Sequence, residues 1–199
     1  MEDEIIVKAI VKDNTRVLTP KEYDKLKSKL NPEYVCICDV LLHTGMRGSE
    51  FIRFSKHPEW YDAHRRCIEL TTEAIKKKKT VYKTRQVNLT VKGCDAVKHF
   101  QKMMKDNMRI PSRQAMLGVL ERAAIEAELP EGNKGICPKM FRKTLVSWLM
   151  KTTPEKMFEI AANMGHTLSV MQVNYTNLSF AKSDIEDIRD FLKGWGMTE

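Results

Sequence analysis

The sequence predicts an α+β domain, mainly α-helical with a small antiparallel β-sheet. Along most of the chain apolar residues recur at helical spacing behind capping signals, whereas one stretch between Cys67 and Thr90 alternates apolar and polar residues instead. A hydrophobic content of 42% beside 30% charged residues is the balance of a chain that buries a core, which argues against extended disorder. At 199 residues the chain is a little longer than the ~150 residues of one ordinary domain. The expected organisation is residues 1–16 as an N-terminal extension or linker and residues 17–199 as one domain with a C-terminal helix.

Thr19-Pro20-Lys21-Glu22 joins a capping hydroxyl, a proline at the first helical position and a glutamate three residues after the cap, so a helix is expected from Pro20 to about Leu30. Asn31-Pro32 restarts the pattern, and Tyr34, Ile37 and Leu41 recur at helical spacing until Gly45 stops it. Between Cys67 and Thr90, Ile68 and Leu70 alternate with charged neighbours, and Val87 and Leu89 alternate with Gln86, Asn88 and Thr90. This spacing predicts a small antiparallel hairpin, with Lys76 to Lys79 projecting positive charge from its tip. Helix starts follow at Ser112, Pro138, Thr153-Pro154, Ser169 and the capping box Ser183-x-x-Glu186, with Leu129 to Gly135 the clearest loop.

Thirty-four Lys and Arg against 26 Asp and Glu leave a net charge of +8, an excess that favours a polyanionic partner, nucleic acid foremost. No apolar run reaches the ~18 residues of a membrane span, since the best, Tyr34 to Leu42, is broken by Asp39. The acidic start Met1-Glu2-Asp3-Glu4 lacks the positive charge of a signal peptide, and an intracellular, cytoplasmic protein is expected. The five cysteines (Cys36, Cys38, Cys67, Cys94, Cys137) have no paired C-x-x-C spacing and read as buried free thiols.

Four local features fall in a telling order. Thr44-Gly45-Met46-Arg47-Gly48-Ser49-Glu50 sets an arginine in a turn between helices with a glutamate three residues on. Lys139-x-x-Arg142 puts two cations on one face of the helix that Pro138 opens, able to point at one anion. In Met164-Gly165-His166 the glycine suits a helix C-terminus and presents the histidine in a turn. Tyr175 lies nine residues past His166, near the end of a short helix carrying Val170, Met171 and Val173. Each alone has an ordinary structural explanation: a surface arginine, a solvated basic face, a helix end, a core tyrosine.

Together, Arg47, a hairpin lysine, Lys139-x-x-Arg142, Gly165-His166 and Tyr175 resemble the catalytic domain of the tyrosine recombinases, the phage integrase family, over about Val17 to Lys193. Members carry T-G-x-R-x-x-E after a helix, a hairpin with lysine, H-x-x-R-H, L-G-H and then the tyrosine. Here Lys139 and Lys143 stand at the two histidine positions of the second box, and Met164 stands where leucine is usual. A lysine at the first of these positions is similar to a variant more frequent among archaeal members. Lys83, just before Arg85-Gln86-Val87-Asn88-Leu89, is the expected hairpin lysine, with Lys79 the alternate. Family integrases also hold DNA with a separate core-binding domain ahead of the catalytic one, so only about 16 residues before the match imply either a fragment or a minimal member.

The resemblance implies site-specific cleavage and rejoining of DNA attachment sites by an integrase of a virus or other mobile element. Arg47 and Arg142 would clamp the scissile phosphate, because guanidinium groups stay charged and their planar forks match its non-bridging oxygens. His166 and Lys139 would add hydrogen bonds, Tyr175 would attack phosphorus, and Lys83 would protonate the leaving 5′-oxygen. A tyrosine of pKa ~10 is a poor nucleophile at neutral pH, so either a basic pocket favours the phenolate or a neighbour accepts its proton. Neither cofactor nor metal is implied. The resemblance also implies a homo-tetramer on DNA, with the helix opened by Ser183 and striped by Ile185, Ile188, Phe191 and Leu192 docking on a neighbouring protomer. Alternatives are a resolvase of the Xer type, a type IB topoisomerase-like enzyme, or a DNA-binding remnant lacking the core-binding domain.

Overall fold

The computed structural model describes residues 8–73, 84–175 and 178–196. Within the stretch expected as an extension or linker, Val11–Lys12 (β1) and Thr15–Arg16 (β2) pair antiparallel around Asp13 and Asn14, both with positive φ, as a two-residue hairpin turn requires. The hairpin is anchored on the domain. Arg16 is wholly buried, its Nη2 donates to Glu22 Oε1 at 2.6 Å, and its backbone N–H donates to the Gly135 carbonyl at 2.8 Å. A Cβ on Gly135 would lie 2.8 Å from that same nitrogen, so the close approach depends on glycine.

Pro20–Lys27 (α1) begins as its signals dictate. Thr19 Oγ1 accepts from the Glu22 N–H at 3.2 Å and Glu22 Oε2 accepts from the Thr19 N–H at 2.9 Å, though the helix stops short of Leu30. Pro32–Thr44 (α2) is capped by Asn31 and ended by Gly45 at φ +59°. Because α2 is apolar on nearly every side it is the buried centre of the domain, packed against Val91–Lys105 (α4) and Lys139–Thr152 (α6). Gly48–Phe54 (α3) begins after two intervening residues, Met46 and Arg47, and Arg113–Glu126 (α5) starts at its Ser112 cap.

The expected hairpin is present as Cys67–Leu70 (β4) and Arg85–Asn88 (β5), in register Ile68 to Val87, but Tyr61–Asp62 (β3) adds a third strand on the far side of β4. Two residues are too few for an alternating pattern to reveal. The helix start expected at Thr153-Pro154 is a single 3-10 turn, Pro154–Lys156, leading into Met157–Met164 (α7), and Leu168–Tyr175 (α8) starts one residue before Ser169.

The last helix, Lys182–Phe191 (α9), opens one residue before Ser183, and its cap is Asp184 Oδ2 accepting from the Ala181 N–H at 3.2 Å, in place of the Ser183–Glu186 box. It packs on its own domain. Ile188 is fully buried, and Phe191 meets Tyr23 and Trp148 edge-on and stacks on His43. Truncating a buried isoleucine to alanine typically costs ~2–5 kcal/mol, so α9 helps to close the core of the isolated chain. All five cysteines are free thiols, and among the described residues no helix is long and apolar enough to cross a membrane.

Candidate active site

The site grows from the turn after α2. Gly45 in the left-handed region swings the chain so that Arg47 becomes the N-cap residue of α3, where Glu50 Oε2 accepts from the Arg47 backbone N–H and Oε1 accepts from its Nη1, both at 2.7 Å. Glu50 is buried, and its Oε2 also accepts from Arg85 Nη2 at 2.7 Å. Burial pushes the Glu50 carboxyl up, but Arg85, Arg142 and Arg47 outweigh it and hold the group below the usual carboxylate range. One anionic side chain therefore braces two guanidinium groups.

Arg142, one turn into α6, is buried beside them. Its Nη1 donates to the Gly45 carbonyl at 2.7 Å, and its Nη2 donates to the Met164 carbonyl and to His166 Nε2, the latter at 2.9 Å. Among the described residues this takes three of its five N–H donors and leaves two. Burial first, then repulsion from Arg85 and Arg47, draws the Arg142 guanidinium down to about 9, so it remains cationic at neutral pH. The Met164 carbonyl also accepts from Arg85 Nη1 at 2.9 Å. The turn that presents His166 is thus pinned from two sides.

Burial, and then Arg142, Arg47 and Arg85, push the His166 imidazole down to about 3. It is neutral, and since Nε2 accepts from Arg142 the proton lies on Nδ1. That buried Nδ1 has no hydrogen-bond partner among the described residues, which leaves an unspent donor inside the site. The His166 ring stacks on Tyr175, with centroids 5.7 Å apart and planes 17° from parallel.

Tyr175 is the last residue of α8 and is half-buried. Burial raises the phenol above its ordinary value and outweighs the opposing pull of Arg142 and Arg47, while Asp13 adds to the rise. In the protein alone burial thus outweighs the basic surroundings, which do not by themselves favour the phenolate.

Arg47, Lys139, Arg142 and Tyr175 line one cleft of about 630 Å³, together with Arg113 and Lys143. Lys139 stands exposed at the first position of α6. Five cations and no carboxylate line this cleft, and Ile37, Leu41, Phe51 and Met116 form its apolar wall. His166 lies behind Arg142 and Tyr175, outside the cleft lining. Lys83 and Lys79 lie outside the described residues. Arg85 was missed as a site residue although its signal was present: the alternation that turns Val87 and Leu89 inward turns residue 85 inward too, and a buried arginine needs a buried partner.

The sequence profile of the phage integrase family matches residues 16–182. No curated protein matches the chain by sequence. Among solved structures, the chain is similar to the integrase of the Tn1549 transposon in complex with circular intermediate DNA, at a TM-score of 0.63 and 18% identity over 86% of this chain and 66% of that one. The same integrase in complex with transposon right end DNA gives 0.63 and 18% over 88% and 65%, and XerA recombinase gives 0.57 and 16% over 87% and 63%. The chain thus spans slightly less than two thirds of each of these structures, and the likeness is one of fold. With most of its length matched by the family profile, the chain belongs to the phage integrase family, the tyrosine recombinases.

Proposed function

We propose that this chain is the catalytic domain of a site-specific DNA recombinase that cuts and rejoins strands through a covalent 3′-phosphotyrosyl intermediate. The observation that carries the reading is the placement of Tyr175 on the rim of a cleft lined by five cations and no carboxylate, with its ring stacked on His166. A phosphodiester repels nucleophiles by its own charge, and further charge develops on its oxygens as attack proceeds. Arg47 and the two remaining N–H groups of Arg142 hold those oxygens, in positions fixed in advance by Glu50 and by the carbonyls of Gly45 and Met164. Lys139 donates a further hydrogen bond, and His166, behind the cleft, steadies Arg142 through Nε2 and Tyr175 through its stacked ring.

The Tyr175 oxygen forms a bond to phosphorus as the bond to the 5′-oxygen breaks; the phenolic proton passes to an acceptor, and Lys83, or Lys79 in its place, supplies a proton to the leaving oxygen. The partner strand's 5′-hydroxyl reverses the step. Phosphate bond energy is kept in the intermediate, so no nucleotide triphosphate is consumed. DNA is the partner in this reading, and the cytoplasm or nucleoid is its location.

Assembly as a homo-tetramer on DNA belongs to the same reading. Passing α9 to a neighbour would require Ile188, Phe191 and Trp195 to leave the surface they cover in their own domain. Deleting the chain from Ser183 onward would therefore uncover Tyr23, His43 and Trp148, and surface substitutions on α9 test exchange more cleanly than truncation.

The test is incubation with a pool of nicked duplexes carrying a randomised central segment, recovery of denaturation-resistant complexes, and peptide mapping of the attachment. Attachment through Tyr175 with one sequence enriched is expected. No adduct from any pool member, or attachment at another residue, overturns the reading.

A further inference from the structure

Helix α8 contributes only one buried side chain, Met171, while Val173 is 71% exposed. Its last turn is held from outside the segment that the family profile covers. From the tip of the N-terminal hairpin, Lys12 Nζ donates to the Val173 carbonyl at 2.7 Å, two residues before Tyr175. A helix C-terminus offers unpaired carbonyls and the negative end of its dipole, which a lysine ammonium suits. Lys143 on α6 in turn donates to Asp13 Oδ2 at 2.9 Å and to the Lys12 carbonyl. The hairpin itself cannot drift, because buried Arg16 ties its base to Glu22, Gly132 and Gly135.

We propose that the β1–β2 hairpin is a positioning strap for the nucleophile: Lys12 on the Val173 carbonyl and Asp13 on Lys143 fix α8 against α6 and hold Tyr175 at the rim of the cationic cleft. Lys12 and Asp13 act through α8 and are positioning residues, and the inference rests on the reading of Tyr175 as nucleophile. Asp13 is 62% exposed, and an ion pair with one partner in solvent adds little to global stability, so cutting the strap displaces α8 without unfolding the domain. A small misplacement of a reacting group is costly in rate.

Lys12→Met removes one contact and Asp13→Asn takes the charge from the other, leaving a neutral acceptor; Lys12→Arg and Asp13→Glu retain a charged donor and a charged acceptor. Two quantities are measured: hydrogen exchange of the amides of residues 168–175 in the protein alone, and the single-turnover rate of adduct formation at saturating duplex selected from the randomised pool. In the first two variants the helix amides should exchange faster and the adduct should form about 10-fold more slowly, at an unchanged thermal midpoint, with the Arg and Glu variants returning both readouts toward the parent. Parental exchange and parental rate in Lys12→Met and Asp13→Asn overturn the strap. If the parent protein forms no adduct, the functional reading fails by itself, and the exchange measurement alone decides the strap.

Discussion

The two walls of the cationic cleft are built by opposite means. On the arginine wall, side chains from α3, β5 and α6 converge on Glu50 and on the Gly45 and Met164 carbonyls, and Glu50, Arg85 and Arg142 are all buried. On the opposite wall, that of the proposed nucleophile, α8 rests on Met171, on the stack of Tyr175 over His166 and on a half-buried lysine from the N-terminal hairpin. In the proposed reaction the groups that match a fixed array of phosphate oxygens are set into the core, while the group that travels to phosphorus and back is held by fewer contacts. Elements that move in function are drawn from the less stable parts of a fold, and the contrast follows that rule.

The largest effect should come from the nucleophile wall. Tyr175→Phe keeps the ring that stacks on His166 and loses the attacking oxygen, so covalent attachment should vanish while duplex binding stays near the parental level. The same variant sharpens the contrast between walls. Because Tyr175 lines the cleft of its own chain, mixing Tyr175→Phe with Arg142→Ala protein should yield no more adduct than the two separately. Restored adduct in the mixture would show that the tyrosine is delivered from one protomer to another, and the two walls would then belong to different chains.

Next come the arginines, whose two environments separate rate from stability. Arg47→Ala and Arg142→Ala should each slow adduct formation by ~10²–10³, and lysine should not rescue either, because the planar fork is lost. Arg47 is 38% exposed and its loss should leave the denaturation midpoint almost unchanged. Arg142→Ala strips a donor from the buried Gly45 carbonyl, a loss of ~1–3 kcal/mol in urea unfolding. Glu50→Gln weakens the buried pair with Arg85; breaking such a pair costs up to ~3–5 kcal/mol, and it should loosen both braced arginines at once. A Glu50→Gln protein with parental stability and rate would mean that the brace is incidental.

Much of this contrast was legible before the fold. Thr19, Asn31, Gly45 and Gly165 terminate their helices as their residue types dictate, and the order of Arg47, Lys139, Arg142, His166 and Tyr175 identified the family. What escaped were features that depend on partners distant in the chain. Arg85 meets Glu50 across 35 positions and Lys143 meets Asp13 across 130, and no local periodicity encodes either pairing. The strand Tyr61–Asp62 is too short to show alternation, and the hairpin at residues 11–16 is announced only by Asp13-Asn14, a weak turn signal without glycine.

The smallest predicted effect compares two buried histidines, one on the arginine side of the site and one deep in the helical core. His43 on α2 takes part in a hydrogen bond with Thr90 Oγ1 through Nδ1 at 3.0 Å, stacks on Phe191, and is pushed by burial down to about 4. His166 is pushed to about 3 by burial and then by three arginines. In the unfolded chain both bind a proton near pH 6.5. The unfolded state is therefore protonated first as pH falls: the stability conferred by a neutral His43 is complete above about pH 6.5 and is lost toward pH 4, by ~1.4 kcal/mol per pH unit. His43→Gln should flatten the plot of urea-derived stability against pH by one proton over that window. Inorganic phosphate drawn to the arginines should oppose their repulsion of a proton on His166 and raise its titration, while His43, shielded behind α4 and α9, should not respond. Ring-proton resonances followed through an acid titration with and without phosphate measure both. Equal shifts at the two histidines, or a shift at His43 alone, would show that the anion does not settle on the arginine wall.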